Sequence, residues 1–280
     1  MTEHERREPA MAERITLIGI GVMGEAILTS MLPTVDAGGV RVADGRPEHA
    51  RARAEALGVQ AADGNRDAVA GADVVILAVK PKDIGDVAAE IAPALQPGAV
   101  VVSVAAGIST AYLGSRLPAG TAVVRVMPNT PATIGAGVSV LSAGEHATDE
   151  HLDQVARLLA GTGAVHRVQE TYQDAVTAIS GSGPAYVFYL IDALAEAGVL
   201  GGLSRDLARE LAVQTVAGAG AMAQQTGEHP VVLRERVSSP AGTTVAAIRE
   251  LDERGVRAAV IAAAETVRLR SIEMGRELGD

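Results

Sequence analysis

Hydrophobic positions along the chain follow two rhythms. Up to about residue 168, short runs rich in Val and Ile alternate with amphipathic stretches, the pattern of a parallel α/β sheet. The runs predict strands over Ile15–Ile20, Val40–Ala43, Val74–Val79, Val100–Val104, Ala122–Met127, Val138–Leu141 and Ala164–Val168. Helical spacing predicts helices over Met23–Leu32 and over Pro47–Leu57, the latter stopped by Gly58. Beyond residue 170 the strand pattern ends and long helices follow. One starts at Pro184, one runs behind Ser204 as N-cap to Gly227, a short one starts at Pro230, and two flank Gly255. The helices over Pro184–Gly198 and Asp206–Gln225 are apolar around much of their circumference. Such helices must be buried, so the C-terminal half is expected to complete its core by dimerisation.

Composition narrows the function classes. A length of 280 residues leaves room for two domains, and 48% hydrophobic residues supply a sizeable core. A net charge of −10 argues against a sequence-independent grip on nucleic acid. Four tyrosines and one phenylalanine give little material for base stacking. With no cysteine there is no thiolate chemistry, and the histidines show no metal-ligand spacing, so no metal site is expected. The apolar runs are shorter than a membrane span and the charged start lacks a signal-peptide core, which points to a cytoplasmic protein. Residues 1–12 read as a disordered tail, residues 13–169 as one domain and residues 170–280 as a second, helical one. Only Lys80 and Lys82 are lysines; arginine fills the other basic positions.

The first strand runs into Gly19-Ile20-Gly21-Val22-Met23-Gly24, and a helix follows. Glycines at this spacing, between strand and helix, suit a dinucleotide site. The first allows a tight turn, the second admits a pyrophosphate and the third lets helix and strand pack closely. An ordinary glycine-rich turn is the plainer reading. At the end of the second strand, Asp44 sits where an acid binds a ribose 2′-hydroxyl, while Arg46 suits a 2′-phosphate. The two signals conflict; the balance favours NADP, with NAD left open. Ala78-Val79-Lys80-Pro81 and Val104-Ala105-Ala106 close two further strands, where ligands of such sheets bind.

Three more runs carry a resemblance: Val126–Pro131, Ser180–Tyr186, and the loop Val237-Ser238-Ser239-Pro240-Ala241-Gly242-Thr243-Thr244. Taken in order with the glycine turn and Ala78–Pro81, they resemble pyrroline-5-carboxylate reductase over residues 14 to about 275. The resemblance implies an α/β fold, with a Rossmann-type N-terminal domain on a mostly parallel sheet and an all-helical C-terminal dimerisation domain. It implies an oxidoreductase of proline biosynthesis, reducing L-1-pyrroline-5-carboxylate to L-proline with NADPH or NADH. A homodimer through the C-terminal helices, and a decamer of five dimers, go with it. Cofactor contacts would come from Gly19 to Gly24, Asn65, Ala78 to Pro81 and Val104 to Ala106. Substrate contacts would come from Ser239, Gly242, Thr243 and Thr244, with Thr244 in the catalytic place. The loop precedes a helix and offers hydroxyls and free amides, a cradle for a carboxylate; plain N-capping by Thr243 is the competing use.

Two departures stand out. Val22 replaces a polar residue frequent in the family, and Ala241 stands where Gly is commoner, a change expected to cost little. Glu170 reads as a solvated charge ahead of a cofactor contact, His229 as solvated, and Tyr186, Phe188 and Tyr189 as packing at a dimer interface ahead of a substrate wall. Rival readings are a reductase of a related cyclic imine acid and a catalytically inactive NADP-binding regulator. A β-hydroxyacid dehydrogenase is disfavoured, since no lysine follows Lys82.

Overall fold

The computed structural model describes residues 13–279, so the tail expected over residues 1–12 lies outside the described residues. The chain packs as two compact units. The first runs to Gly181 and is rejoined by the chain from Val267 onward; Ser182–Thr266 form the second.

The first unit is built on one eight-stranded sheet. Its strands are β1 (Ile15–Ile18), β2 (Val40–Ala43), β3 (Gln60–Ala61), β4 (Val74–Leu77), β5 (Val100–Ser103), β6 (Ala122–Met127), β7 (Gly137–Ala143) and β8 (Gly163–Arg167). The spatial order is β3-β2-β1-β4-β5-β6-β7-β8. Neighbours run parallel except for β6 and β7, which are antiparallel. The mostly parallel sheet expected from the pattern is therefore present. The edge strand β3 carries too few residues to leave a periodic signal.

Helices α1 (Val22–Met31), α2 (Pro47–Leu57), α3 (Asn65–Val69), α4 (Ile84–Ile91), α5 (Thr110–Gly114), α6 (Asp149–Leu159) and α7 (Gln173–Val176) complete this unit. Side chains alternate across a strand, so Leu17 joins Ile27 and Leu28 in one apolar layer while Ile18 joins Ile84 and Ile91 in another. Burial on both sides explains why the central strands read as continuous apolar runs. Chain order reverses at β1, which lies between β2 and β4. The carboxyl ends of β1 and β4 thus flank a switch point, the usual ligand crevice of such sheets.

The second unit is helical: α8 (Gly183–Leu200), α9 (Arg205–Thr226), α10 (Pro230–Arg236), α11 (Thr243–Glu253) and the start of α12 (Val256–Gly279). Pro184 occupies the first turn of α8, and Ser204 caps α9 by accepting from the Leu207 amide at 3.4 Å. Gly227 and Gly255 end helices with φ of 63° and 67°, the left-handed geometry glycine adopts without strain. His229 is exposed, as expected, and also caps α10 through Nδ1, which accepts from the Val231 amide at 3.2 Å. Small residues bring α8 and α9 close, since a Cβ on Gly198 would lie 2.9 Å from the Ala208 Cβ.

The stretch Glu170–Leu200 is long and apolar enough to cross a membrane by length and composition, and only 11% of its most apolar window is buried. The strand-sized apolar runs read from the sequence understate it, because Ala and Gly join separate apolar clusters into one long stretch. Phe188 is 61% exposed and Tyr189 80% exposed within the single chain.

Candidate functional site

At the switch point the three glycines of the first turn have separate geometric tasks. Gly19 sits at φ +95°, and a Cβ there would lie 2.8 Å from the carbonyl carbon and oxygen of Ala78. A side chain is thus excluded by conformation and by the backbone of the chain leaving β4. Gly24 faces the Gly19 carbonyl oxygen so closely that an added Cβ would overlap it. Only glycine lets α1 start this near β1. Gly21 is different: nothing lies within 4 Å of a Cβ built on it. Its lack of a side chain leaves an open approach to the helix end.

Gly21 is also the N-cap of α1 and provides no side-chain cap. The first amides of any helix have no intrahelical acceptor, so those of Val22, Met23 and Gly24 face the opening and suit a diphosphate. Val22, 72% exposed, adds surface but no hydrogen-bonding group.

The neighbouring peptide is clamped from two sides. Asp44 Oδ2 accepts from the Ile20 amide at 2.9 Å, and Asp44 Oδ1 accepts from the Arg46 amide at 3.0 Å. On the other side, His49 Nε2 lies 2.9 Å from the Ile20 carbonyl oxygen. Burial works against the charge on Asp44, but the Ile20 and Arg46 amides, with His49 and the Arg46 guanidinium nearby, hold its carboxyl below the ordinary value. The carboxylate is thereby committed to shaping the turn. Arg46, with its side chain 74% exposed and Nε 3.6 Å from Asp44, remains available to an anion. No sequence signal marked His49; only folding brings α2 against the turn.

Of the remaining expected cofactor residues, Ala78 to Pro81 and Val104 to Ala106 follow the carboxyl ends of β4 and β5. The Ala78 amide bonds the Ile18 carbonyl at 2.8 Å, and the Val104 amide bonds the Leu77 carbonyl at 3.1 Å. Ala78 to Pro81 and Val104 to Ala106 therefore leave the sheet beside the glycine turn. The strands stop at Leu77 and Ser103, short of the expected ends, and Ala78 and Val104 each add one last bond to the neighbouring strand. Asn65 opens α3 and donates Nδ2 to Glu90 at 2.8 Å. Lys80 is exposed.

Glu170 is not a solvated charge. It accepts from the Thr110 amide at 2.8 Å and the Thr110 hydroxyl at 2.6 Å, and meets Arg125 Nη1 at 3.4 Å. Arg125 projects from β6 with its side chain 7% exposed. A guanidinium buried that deeply needs a carboxylate partner, which is the physical reason Glu170 is drawn in.

The loop of the second unit forms another uncapped helix start. Gly242 is the N-cap of α11 without a side-chain hydrogen bond, so Thr243 does not take the capping role. The Gly242 amide turns back to the Ser239 carbonyl at 2.9 Å. A Cβ on Gly242 would overlap Ser239 Oγ. Thr243 and Thr244 occupy the first turn, Thr243 exposed and Thr244 half-buried. Free amides and hydroxyls at one helix end suit a small carboxylate. Ala241 has φ 55°, so the cost of replacing glycine lies in the left-handed backbone rather than in the methyl's volume.

Sheet order, switch point and glycine turn together define a Rossmann-type dinucleotide-binding protein with a helical second part. Residues 14–107 match the family model "NADP oxidoreductase coenzyme F420-dependent", and residues 170–274 match "Pyrroline-5-carboxylate reductase dimerisation". A pyrroline-5-carboxylate reductase of Corynebacterium melassecola is 45% identical over 266 residues, covering 94% of this chain and 98% of the relative. One from Glycine max is 41% identical, covering 95% and 98%. The solved pyrroline-5-carboxylate reductase of Coxiella burnetii superposes with a TM-score of 0.89 at 34% identity, over 94% of this chain and 99% of that one. The Plasmodium falciparum pyrroline carboxylate reductase, solved with NADP bound, gives 0.85 at 26% identity over 95% and 100%. The chain belongs to the pyrroline-5-carboxylate reductase family.

Proposed function

We propose that this chain reduces L-1-pyrroline-5-carboxylate to L-proline with NADPH, accepting NADH less well, as the last step of proline biosynthesis in the cytoplasm. The observation that carries the reading is similarity over 98% of a named reductase's length, with both uncapped helix starts inside the matched span.

The glycine turn fits a dinucleotide: Gly21 leaves space for it, and the free amides of α1 meet its diphosphate. Arg46 receives the 2′-phosphate while Asp44 and His49 keep the turn in shape. Asn65, Ala78 to Pro81 and Val104 to Ala106 border the rest of the cofactor. When bound, NADPH supplies a hydride to the imine carbon. The amides and hydroxyls of Ser239, Gly242, Thr243 and Thr244 hold the substrate carboxylate and orient the ring. The Thr244 hydroxyl partners the ring nitrogen and passes it a proton, which it regains from solvent, as the C=N bond becomes a C–N single bond.

The helices of the second unit cover their apolar faces in a homodimer, and five dimers form a decamer. The dimerisation family model over residues 170–274 and the exposed Phe188, Tyr189 and Leu190 support the dimer.

Mixing the protein with NADPH and pyrroline-5-carboxylate should consume NADPH and yield proline. Absence of turnover with either cofactor would overturn the proposal. Thr244→Ala should lower kcat/KM about 100-fold while leaving NADPH binding intact; full efficiency would remove Thr244 from the reaction.

A further inference from the structure

The chain from Val267 onward rejoins the first unit, and there it backs the loop that follows β5. Gly107 in that loop has φ +76°, and a Cβ on it would touch the Gly275 nitrogen and Met274 Cβ at 3.5 Å. In the reverse direction, a Cβ on Gly275 would lie 2.9 Å from the Gly107 carbonyl oxygen. The obstacle is backbone, so helix or loop would have to shift.

The helix is not free to lift. Ser271, 5% exposed, donates its hydroxyl to Asp174 Oδ1 at 2.7 Å. The same oxygen lies 3.9 Å from Arg125 Nη2, and Arg125 reaches Glu170, which grips Thr110 by amide and hydroxyl. A closed circuit results: the sheet holds the loop at Val104, the end of α12 backs it at Gly107, and the buried charges hold it at Thr110. The hydrogen bonds from Thr110 to Glu170 and from Ser271 to Asp174 fix this arrangement, while Arg125 Nη2 stays buried at ion-pair distance from Asp174 without a hydrogen bond of its own.

We infer that the last turns of α12 are a positioning element for the cofactor loop Val104–Ala106, acting through Gly275 and Ser271. The inference rests on the reading of that loop as a cofactor contact. Neither Gly275 nor Ser271 touches the reacting groups; they set where the loop's amides stand. A displacement of a few tenths of an ångström at a bound ring is enough to weaken binding and misalign transfer.

The test uses the full-length protein and two variants, Gly275→Val and Ser271→Ala. NADPH binding is read by fluorescence titration, and hydrogen exchange of the segment 104–110 is read without cofactor. Gly275→Val should weaken NADPH about tenfold and raise its KM, with the KM for pyrroline-5-carboxylate unchanged. Ser271→Ala, the milder change, should speed exchange in 104–110 and weaken NADPH about threefold. If wild type binds NADPH and Ser271→Ala matches it in both readouts, the positioning role is overturned, even where Gly275→Val does not fold. Wild type failing to bind NADPH would instead overturn the cofactor reading itself.

Discussion

The two units treat apolar surface in opposite ways. In the first, Leu17, Ile27, Leu28, Met31, Val40 and Ile84 are all 0% exposed, sealed between sheet and helices. In the second, the only buried apolar residues among those described are Ala195, Ala208 and Ala212, while Leu200 is 88% and Ile261 65% exposed. A sheet covered on both faces closes its own core. A set of helices with apolar residues around their circumference cannot do so within one chain. The first unit therefore closes its own core, whereas the second leaves its apolar faces open within the single chain.

This contrast can be attacked at several points. The largest effect is expected in the sealed core: Leu28→Ala should cost about 2–5 kcal/mol, read by denaturant unfolding at any protein concentration. A charge in the open region should act differently. Leu190→Asp, at a position 51% exposed, should shift mass toward monomer by at least ~2 kcal/mol of association energy, read by sedimentation. Unchanged assembly would show that Leu190 lies outside the covered face.

Smaller effects probe the two helix starts. Arg46→Ala should raise the KM for NADPH about tenfold and leave NADH unaffected, whereas Asp44→Asn should weaken both by loosening the turn. Because the Asp44 pKa is held down in the folded protein, its stabilising contribution is present above the ordinary carboxylate value. That contribution should fade as pH falls below about 4. An acid-unfolding midpoint unaltered by Asp44→Asn would contradict this. Ala241→Gly should change stability least, by at most ~1 kcal/mol, visible as a small rise in Tm.

How much of this could be read beforehand depended on range. Gly19, Gly21 and Gly24 announced themselves because their tasks are set within one turn, and Ser204 because a cap acts three residues away. The position of Asp44 just after β2 is legible from the strand pattern, but its commitment to the Ile20 and Arg46 amides depends on how the turn folds over it. Arg125, the pair Glu170 and Asp174, and Ser271 come from three separate segments, so no local pattern joins them. Nor did periodicity reveal that α12 changes units along its length, since the helix itself is uninterrupted. Ala241 leaves the family resemblance intact, and its left-handed backbone angle is something only the folded loop shows.

Lys80 and Lys82 stand together where β4 leaves the sheet, both exposed, and no other lysine occurs in the chain. Amine-directed reagents, whether dyes, crosslinkers or resin couplings, would therefore reach side chains only at this rim of the dinucleotide turn. Attachment through lysine would anchor the protein beside the glycine turn, and on the proposed reading of that turn the extent of labelling should fall when NADPH is added.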